Sequence, residues 1–239
     1  MPGLPDLRDR IFFPPLSRLP HDTRFSQSEC EYYDLSVIPP MNGTFLSTPD
    51  MTLRPRRHWC LLAEIVELDF WPFRPMYKVK DVTGQIFLAA FHFDDRALFP
   101  KVAKKAVLGS TICVMYASFH YFADGQVGVR LEEPRNVKIL PFGLDELAAM
   151  GDLCRRAWNT DTGTKALAES CIACGKPAAK RCSLCSVAPY CSKECQTSDW
   201  KAKHKKECPI TRIVSHQMRS WNEFDWDSYV VHEGFEDFI

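Results

Sequence analysis

At 239 residues, 46% of them apolar and 25% charged, the chain is long enough for one large domain or two small ones and has ordinary globular composition. Its formal charge of zero sums unlike blocks, about −3 over 1–53, +4 over 54–140, −2 over 141–170, +5 over 171–208 and −4 over 209–239. No apolar run reaches the roughly 18 residues of a membrane span, and Asp6, Arg8, Asp9 and Arg10 stand where a secretory leader would turn apolar, so neither feature is expected.

Residues 1–54 hold eight prolines, among them Pro14-Pro15 and Pro39-Pro40, without sustained periodicity. They read as an extended N-terminal arm in which Tyr32, Tyr33 and Leu35-Ser-Val-Ile38 are the residues able to pack on the segment after it. From Trp59 the texture is β-rich: Trp59 to Phe70, Met76 to Lys80, Gln85 to Phe93, Ser110 to Phe122, and a fifth strand from Gln126 to Leu131 continued by Val137 to Pro141. Arg96 to Val107 has the apolar spacing of a short helix. Turns at Asp81-Val-Thr-Gly84 and Ala123-Asp-Gly125 join neighbouring strands, giving the order β-β-β-α-β-β.

That order, with Val79-Lys-Asp81-Val-Thr83-Gly84-Gln-Ile86 as one hairpin, resembles the OB-fold over residues 55–141, which implies a five-stranded barrel. OB-folds use aromatic and basic side chains to bind single strands, and the matching candidates are Trp71, Phe73, Arg74, Tyr77, Lys78 and Lys80. Against that, Phe87, Phe91 and Phe93 on one face of the third strand and Ile86, Leu88 and Ala90 on the other make both faces read as buried, so a scaffold is expected ahead of a nucleic-acid platform.

Residues 142–170 carry Leu144, Leu147, Met150, Leu153, Cys154 and Trp158 at helical spacing, then a loop of Asn, Thr, Asp and Gly. Between Cys171 and Cys208 stand seven cysteines and one histidine, in the order C-x2-C-x7-C-x2-C-x5-C-x3-C-x8-H-x3-C. This is the donor count of two tetrahedral zinc sites, and a C-x2-C pair is a tight turn offering two thiolates to one ion. Four such donors leave no open position, so both ions are expected to be structural and no enzyme is read from them. Thiolate ligands require reducing surroundings, which points to an intracellular setting, nuclear or cytoplasmic.

The eight ligands, with Tyr190, Gln196 and Asp199-Trp200 around them, resemble a MYND-type zinc finger. RING-type cross-braces place the histidine mid-list and HIT-type fingers bring it closer behind the sixth ligand, whereas eight residues separate Cys195 from His204 here. The resemblance implies that Cys171, Cys174, Cys191 and Cys195 hold one Zn2+ and Cys182, Cys185, His204 and Cys208 the other. It also implies a protein partner, met through a short proline-containing peptide by Gln196 and Trp200. Some MYND fingers sit inside lysine methyltransferases, but neither the N-H-S nor the G-E-E-L signature is present. Ser192 to Glu207 reads as a helix presenting His204 and Cys208 from one face, with Lys193, Lys201, Lys203, Lys205 and Lys206 making it basic. Pro209 is expected to stop it, with another short helix near Ile213, Val214, Gln217 and Trp221. Within the 209–239 tail, Trp221 to Tyr229 alternates aromatic and acidic residues, fit for a recognition segment or for docking on the lysine-rich helix, and docking is expected. The whole is an α+β chain: arm, OB-like barrel, linker helix, zinc finger and acidic tail.

Overall fold

The computed structural model describes residues 4–21, 31–34, 54–69, 73–158, 170–222, 225–230 and 234–235. The chain forms two compact units: Arg10–Pro141 with Asp225–Ile239, and Met1–Asp9 with Phe142–Phe224.

In the larger unit, β1 (Tyr33–Asp34) and β2 (Arg54–Pro55) form a small antiparallel ladder. The main sheet has seven strands: β3 (Cys60–Asp69), β4 (Met76–Asp81), β5 (Ile86–Phe91), β6 (Thr111–Met115), β7 (Phe119–Tyr121), β8 (Val127–Leu131) and β9 (Val137–Leu140). Its order is β7-β8-β5-β4-β3-β6-β9, antiparallel except for the parallel pair β5 and β8. The expected five-stranded barrel is corrected on two counts. The strand expected over 110–122 breaks at Tyr116, whose φ is 56°, so β6 pairs with β3 while β7 pairs with β8. The expected fifth strand is two strands, because a 3-10 turn at Pro134–Asn136, capped by Glu133, sends β8 to β5 and β9 to β6.

No ladder among the described residues joins β7 to β9, so the sheet is open. It is nonetheless curled. Five inter-strand steps separate β6 from β7, about 24 Å if flat, whereas the four residue steps from Met115 to Phe119 reach at most about 14 Å.

The core lies inside the curl. Leu61, Ala63 and Ile65 of β3, Tyr77 and Val79 of β4, Phe87, Ala89 and Phe91 of β5, and Ile112 and Val114 of β6 alternate into it with the period of a strand. Helix α1 (Phe99–Lys105) adds Val102. On β5 the other face is buried too at Leu88 and Ala90, but Ile86 is exposed, contrary to expectation.

The described part of the arm is integral to this unit. Leu16, Leu19 and Tyr32 join the core, Cys60 N donates to Phe12 O at 2.8 Å, and Phe119 N donates to Pro20 O at 2.7 Å. The expected packing of Leu35 to Ile38 lies outside the described residues. Asp81, at the start of the β4–β5 turn, accepts from Thr83 N, Thr83 Oγ1 and Gln85 N, and its other oxygen accepts from Leu16 N at 2.9 Å. The D-x-T-G pattern thus closes a hairpin and ties down the arm, with Gly84 (φ 86°) in the left-handed conformation the turn needs.

The tail from Asp225 on also belongs here, which corrects its expected docking on the lysine helix. His58 N donates to Trp226 O at 2.9 Å and Tyr229 N to Arg56 O at 3.1 Å, while the Trp226 ring lies 5.0 Å from that of Phe13. A buried indole and backbone hydrogen bonds outweigh a salt-screened attraction between surface charges.

In the smaller unit, α2 (Leu144–Trp158) packs on α4 (Lys205–Trp221). Gly151 leaves room on α2, since a Cβ there would stand 2.7 Å from Leu7 Cδ1 and 3.6 Å from Met218 Sδ. Between the two helices in the chain come the hairpin β10 (Lys180–Arg181) and β11 (Pro189–Tyr190), α3 (Lys193–Asp199) and a π-helical turn, Trp200–His204. Pro209 does not stop the helix: it lies inside α4. A helical proline costs about 3 kcal/mol, and α4 offsets it by burying Cys208, Val214, Met218 and Trp221.

Candidate metal centre

Two C-x2-C turns open the finger, and they are built alike. Gly175 N donates to Cys171 O and Ser186 N to Cys182 O, each at 2.8 Å, and both Gly175 (φ 75°) and Ser186 (φ 59°) are left-handed. The residue after each second cysteine reverses the chain so that both thiols of a pair face one point. Ser186 is marked for this role by its position, equivalent to that of Gly175, and not by its residue type.

The hairpin then separates the two sites. Cys182 comes directly after β10 and Cys191 directly after β11, so neighbouring strands deliver their cysteines to different clusters. Cys171, Cys174, Cys191 and Cys195 gather in one tetrad and Cys182, Cys185, His204 and Cys208 in the other, with the ligand atoms of each within 4.8 Å of one another. Ser192 caps α3 by accepting from Cys195 N at 3.3 Å, which sets Cys195 in the first turn facing Cys191.

The donor geometry fits zinc. A tetrahedron with Zn–S of about 2.3 Å has S···S edges of about 3.8 Å. The Cys174–Cys191 and Cys191–Cys195 separations are 3.5 Å and Cys182–Cys208 is 3.9 Å. A disulfide requires about 2.05 Å, so these are free thiols around a common centre. Cys185 Sγ lies 3.7 Å from His204 Nε2, making Nε2 the metal-facing nitrogen, while Nδ1 is buried without a hydrogen-bond partner among the described residues.

Electrostatics point the same way. Burial alone raises the Cys171 thiol, but hydrogen bonds from the backbone of Cys191, Ala173 and Cys174 prevail and bring it down to about 6. Hydrogen bonding to Cys174 and Cys195 pushes Cys191 up to about 12, and burial with Cys185 and Cys182 alongside pushes Cys208 to about 12. Crowded thiols of this kind cannot all ionise unaided, and a divalent cation at the centre reverses that balance. Burial also lowers the pKa of His204, favouring the neutral imidazole that ligates metal.

The π-turn places His204 between two rings, with Tyr190 and Trp200 each at 5.9 Å between centroids. The Tyr190 hydroxyl donates to buried Asp199 Oδ2 at 2.7 Å, bracing β11 against α3. That bond gives the aspartate of the Asp199-Trp200 pair its role, one that residue type and spacing do not disclose. Gln196 and Trp200 stand one turn apart, both half-exposed.

The nucleic-acid candidates do not form one set. Tyr77 is a core residue packed edge-on against Phe91 at 5.7 Å, because strand alternation turns it inward. Lys78 is paired with Glu67 at 2.8 Å and Lys80 with Glu64 at 4.0 Å. Phe73 is exposed, Arg74 contacts His92, and Trp71 lies outside the described residues.

No helix among the described residues is long and apolar enough to cross a membrane. Among curated proteins, a stretch of 58 residues (24% of this chain) is 55% identical to ubiquitin carboxyl-terminal hydrolase 19 of Arabidopsis thaliana, covering 9% of that protein. Programmed cell death protein 2 of Mus musculus is 41% identical over 58 residues, 24% of this chain and 17% of its own length. The chain therefore spans under a fifth of these relatives. Among solved structures, a chain of the S. pombe Stn1-Ten1 complex aligns over 36% of this chain and 60% of its own at 20% identity and a TM-score of 0.28. The mitochondrial single-stranded DNA binding protein Rim1 of S. cerevisiae aligns over 37% and 98% at 12% identity and a TM-score of 0.26. The MYND finger family matches residues 171–208, the span that encloses both tetrads, and this segment is a MYND finger whose cysteines and histidine bind two zinc ions.

Proposed function

We propose that the chain is a non-enzymatic adaptor whose finger captures a protein partner through a short proline-containing peptide, the larger unit serving as scaffold. The observation that carries this reading is the pair Gln196 and Trp200. Both side chains are half-exposed on the finger helix, and neither the Gln196 amide nor the Trp200 indole N–H has a hydrogen-bond partner among the described residues. The Trp200 ring is held against His204, so it offers a fixed apolar wall. The free amide is suited to the backbone of an extended strand, and a proline-rich segment is already extended before it binds.

The test is calorimetric titration of proline-rich peptides into the zinc-loaded chain. Trp200→Ala is expected to weaken the best peptide at least about tenfold, a truncation loss of a hot-spot aromatic, with two zinc ions still bound. Equal affinity in Trp200→Ala and Gln196→Ala would remove the reading.

A further inference from the structure

The two tetrads are unequally exposed. Cys182, Cys185, His204 and Cys208 are all buried, none more than 4% accessible, whereas Cys174 is exposed and Cys191 and Cys195 are half-exposed. The local sequence accounts for part of the contrast. The turn that carries Cys174 runs on through Gly175, Lys176 and Pro177, all exposed, while the turn of Cys182 and Cys185 leads into the buried run Val187 to Tyr190.

Helix α2 completes the shield over the second tetrad. Arg181, directly before Cys182, donates to Ala157 O at 2.7 Å, and Thr211 Oγ1 of α4 donates to Met150 Sδ at 3.0 Å. Since α2 lies outside the 171–208 span of the finger family, this protection is particular to the chain and not a property of every such finger.

Exposure decides reactivity, because ligation holds a cysteine as its thiolate and the thiolate is the form that attacks peroxides. The most exposed sulfur also has a second one at hand: Cys174 Sγ lies 3.5 Å from Cys191 Sγ. We propose that the first tetrad is a site of oxidative modification, at which hydrogen peroxide joins Cys174 to Cys191 as a disulfide and one zinc ion is lost while the second tetrad keeps its own. The Cys174 thiolate attacks one peroxide oxygen and breaks the O–O bond, giving a sulfenic acid and hydroxide. The Cys191 thiolate then attacks the Cys174 sulfur and expels a second hydroxide. Two protons from solvent convert both hydroxides to water; the two sulfurs together lose two electrons and the peroxide gains them. Cys171 and Cys195 remain as two donors where a closed zinc site needs four. Cys195 stands in the first turn of α3, so loss of the ion frees that end of the helix. This chemistry is independent of the peptide reading of the finger.

The test treats the zinc-loaded full chain with hydrogen peroxide, counts bound ions by native mass spectrometry and maps disulfides by peptide mass. One of the two ions is expected to leave, with Cys174 joined to Cys191, and dithiothreitol with added zinc is expected to restore it. Cys174→His keeps a zinc donor but removes the attacking sulfur, and is expected to slow release at least about tenfold. A second measurement needs no variant: dimedone added with the peroxide is expected to label Cys174 and to leave Cys182, Cys185 and Cys208 unlabelled. Loss of both ions together, a disulfide that lacks Cys174 or Cys191, dimedone on the buried thiols, or unchanged release from a Cys174→His chain loaded with two ions would each overturn the proposal. So would two ions retained at peroxide concentrations that oxidise the methionines of the chain.

Discussion

Asp81 accepts four hydrogen bonds on two oxygens, three from its own turn and one from Leu16 N in the arm. Asp81→Ala strands the buried Leu16 N–H and opens the turn. With about 1–3 kcal/mol for an orphaned buried donor and more for charge-assisted bonds, a loss of about 3–5 kcal/mol is expected, read as a lowered denaturation midpoint with both zinc ions retained. A loss below about 1 kcal/mol would mean that the arm is held by Leu16 and Leu19 alone. The residue scale is also where the sequence is most readable. A zinc ligand set is local chemistry, since donor type, number and spacing constrain one another, and the eight ligands are legible for that reason. Asp199 is the opposite case: its bond from the Tyr190 hydroxyl at 2.7 Å forms only once β11 and α3 are folded against each other, so no residue type or spacing announces it.

At the scale of elements, the hairpin of β4 and β5 was legible because Asp81 closes it from within, and the helix α1 because its apolar spacing is local. The break between β6 and β7 was not. Tyr116 adopts a conformation that tyrosine disfavours because its ring packs edge-on to Trp59 at 5.2 Å and its hydroxyl meets His58 Nδ1 at 2.6 Å, the latter contact 58 positions apart in the chain. Pro209 misleads for a related reason, since the burial that carries α4 past it comes from α2. The tail is the sharpest case, because its acidic charge suggested one partner and its aromatic ring found another. Trp226→Ala is therefore expected to cost the larger unit about 3–5 kcal/mol and to expose residues 225–230 to hydrogen exchange. The finger's zinc affinity is expected to stay unchanged. A drop in zinc affinity with the larger unit unaffected would restore the docking on the lysine helix.

At the scale of the molecule, the chain begins in one unit, crosses to the other at Arg10, returns at Phe142 and leaves again after Phe224, yet each unit is held by different physics. The larger has a continuous apolar core of aromatic and branched side chains. In the smaller, the finger's 38 residues have little to bury, and the two tetrads supply its folding energy, on the order of 10 kcal/mol per ion. Chelation is thus expected to split thermal unfolding in two, with residues 171–208 losing exchange protection at ambient temperature while strands β3 to β9 keep theirs. Cys182→Ser removes one thiolate from the more buried tetrad, and native mass spectrometry should count one ion instead of two. Because the cross-brace routes Cys182 and Cys191 to different sites from paired strands, losing the second ion also loosens the hairpin that presents Cys191. The first ion should then leave at a lower chelator concentration than in the wild type. Two ions retained by Cys182→Ser would refute the pairing of the ligands. A single transition on chelation would show that the core of the larger unit depends on the zinc ions as well.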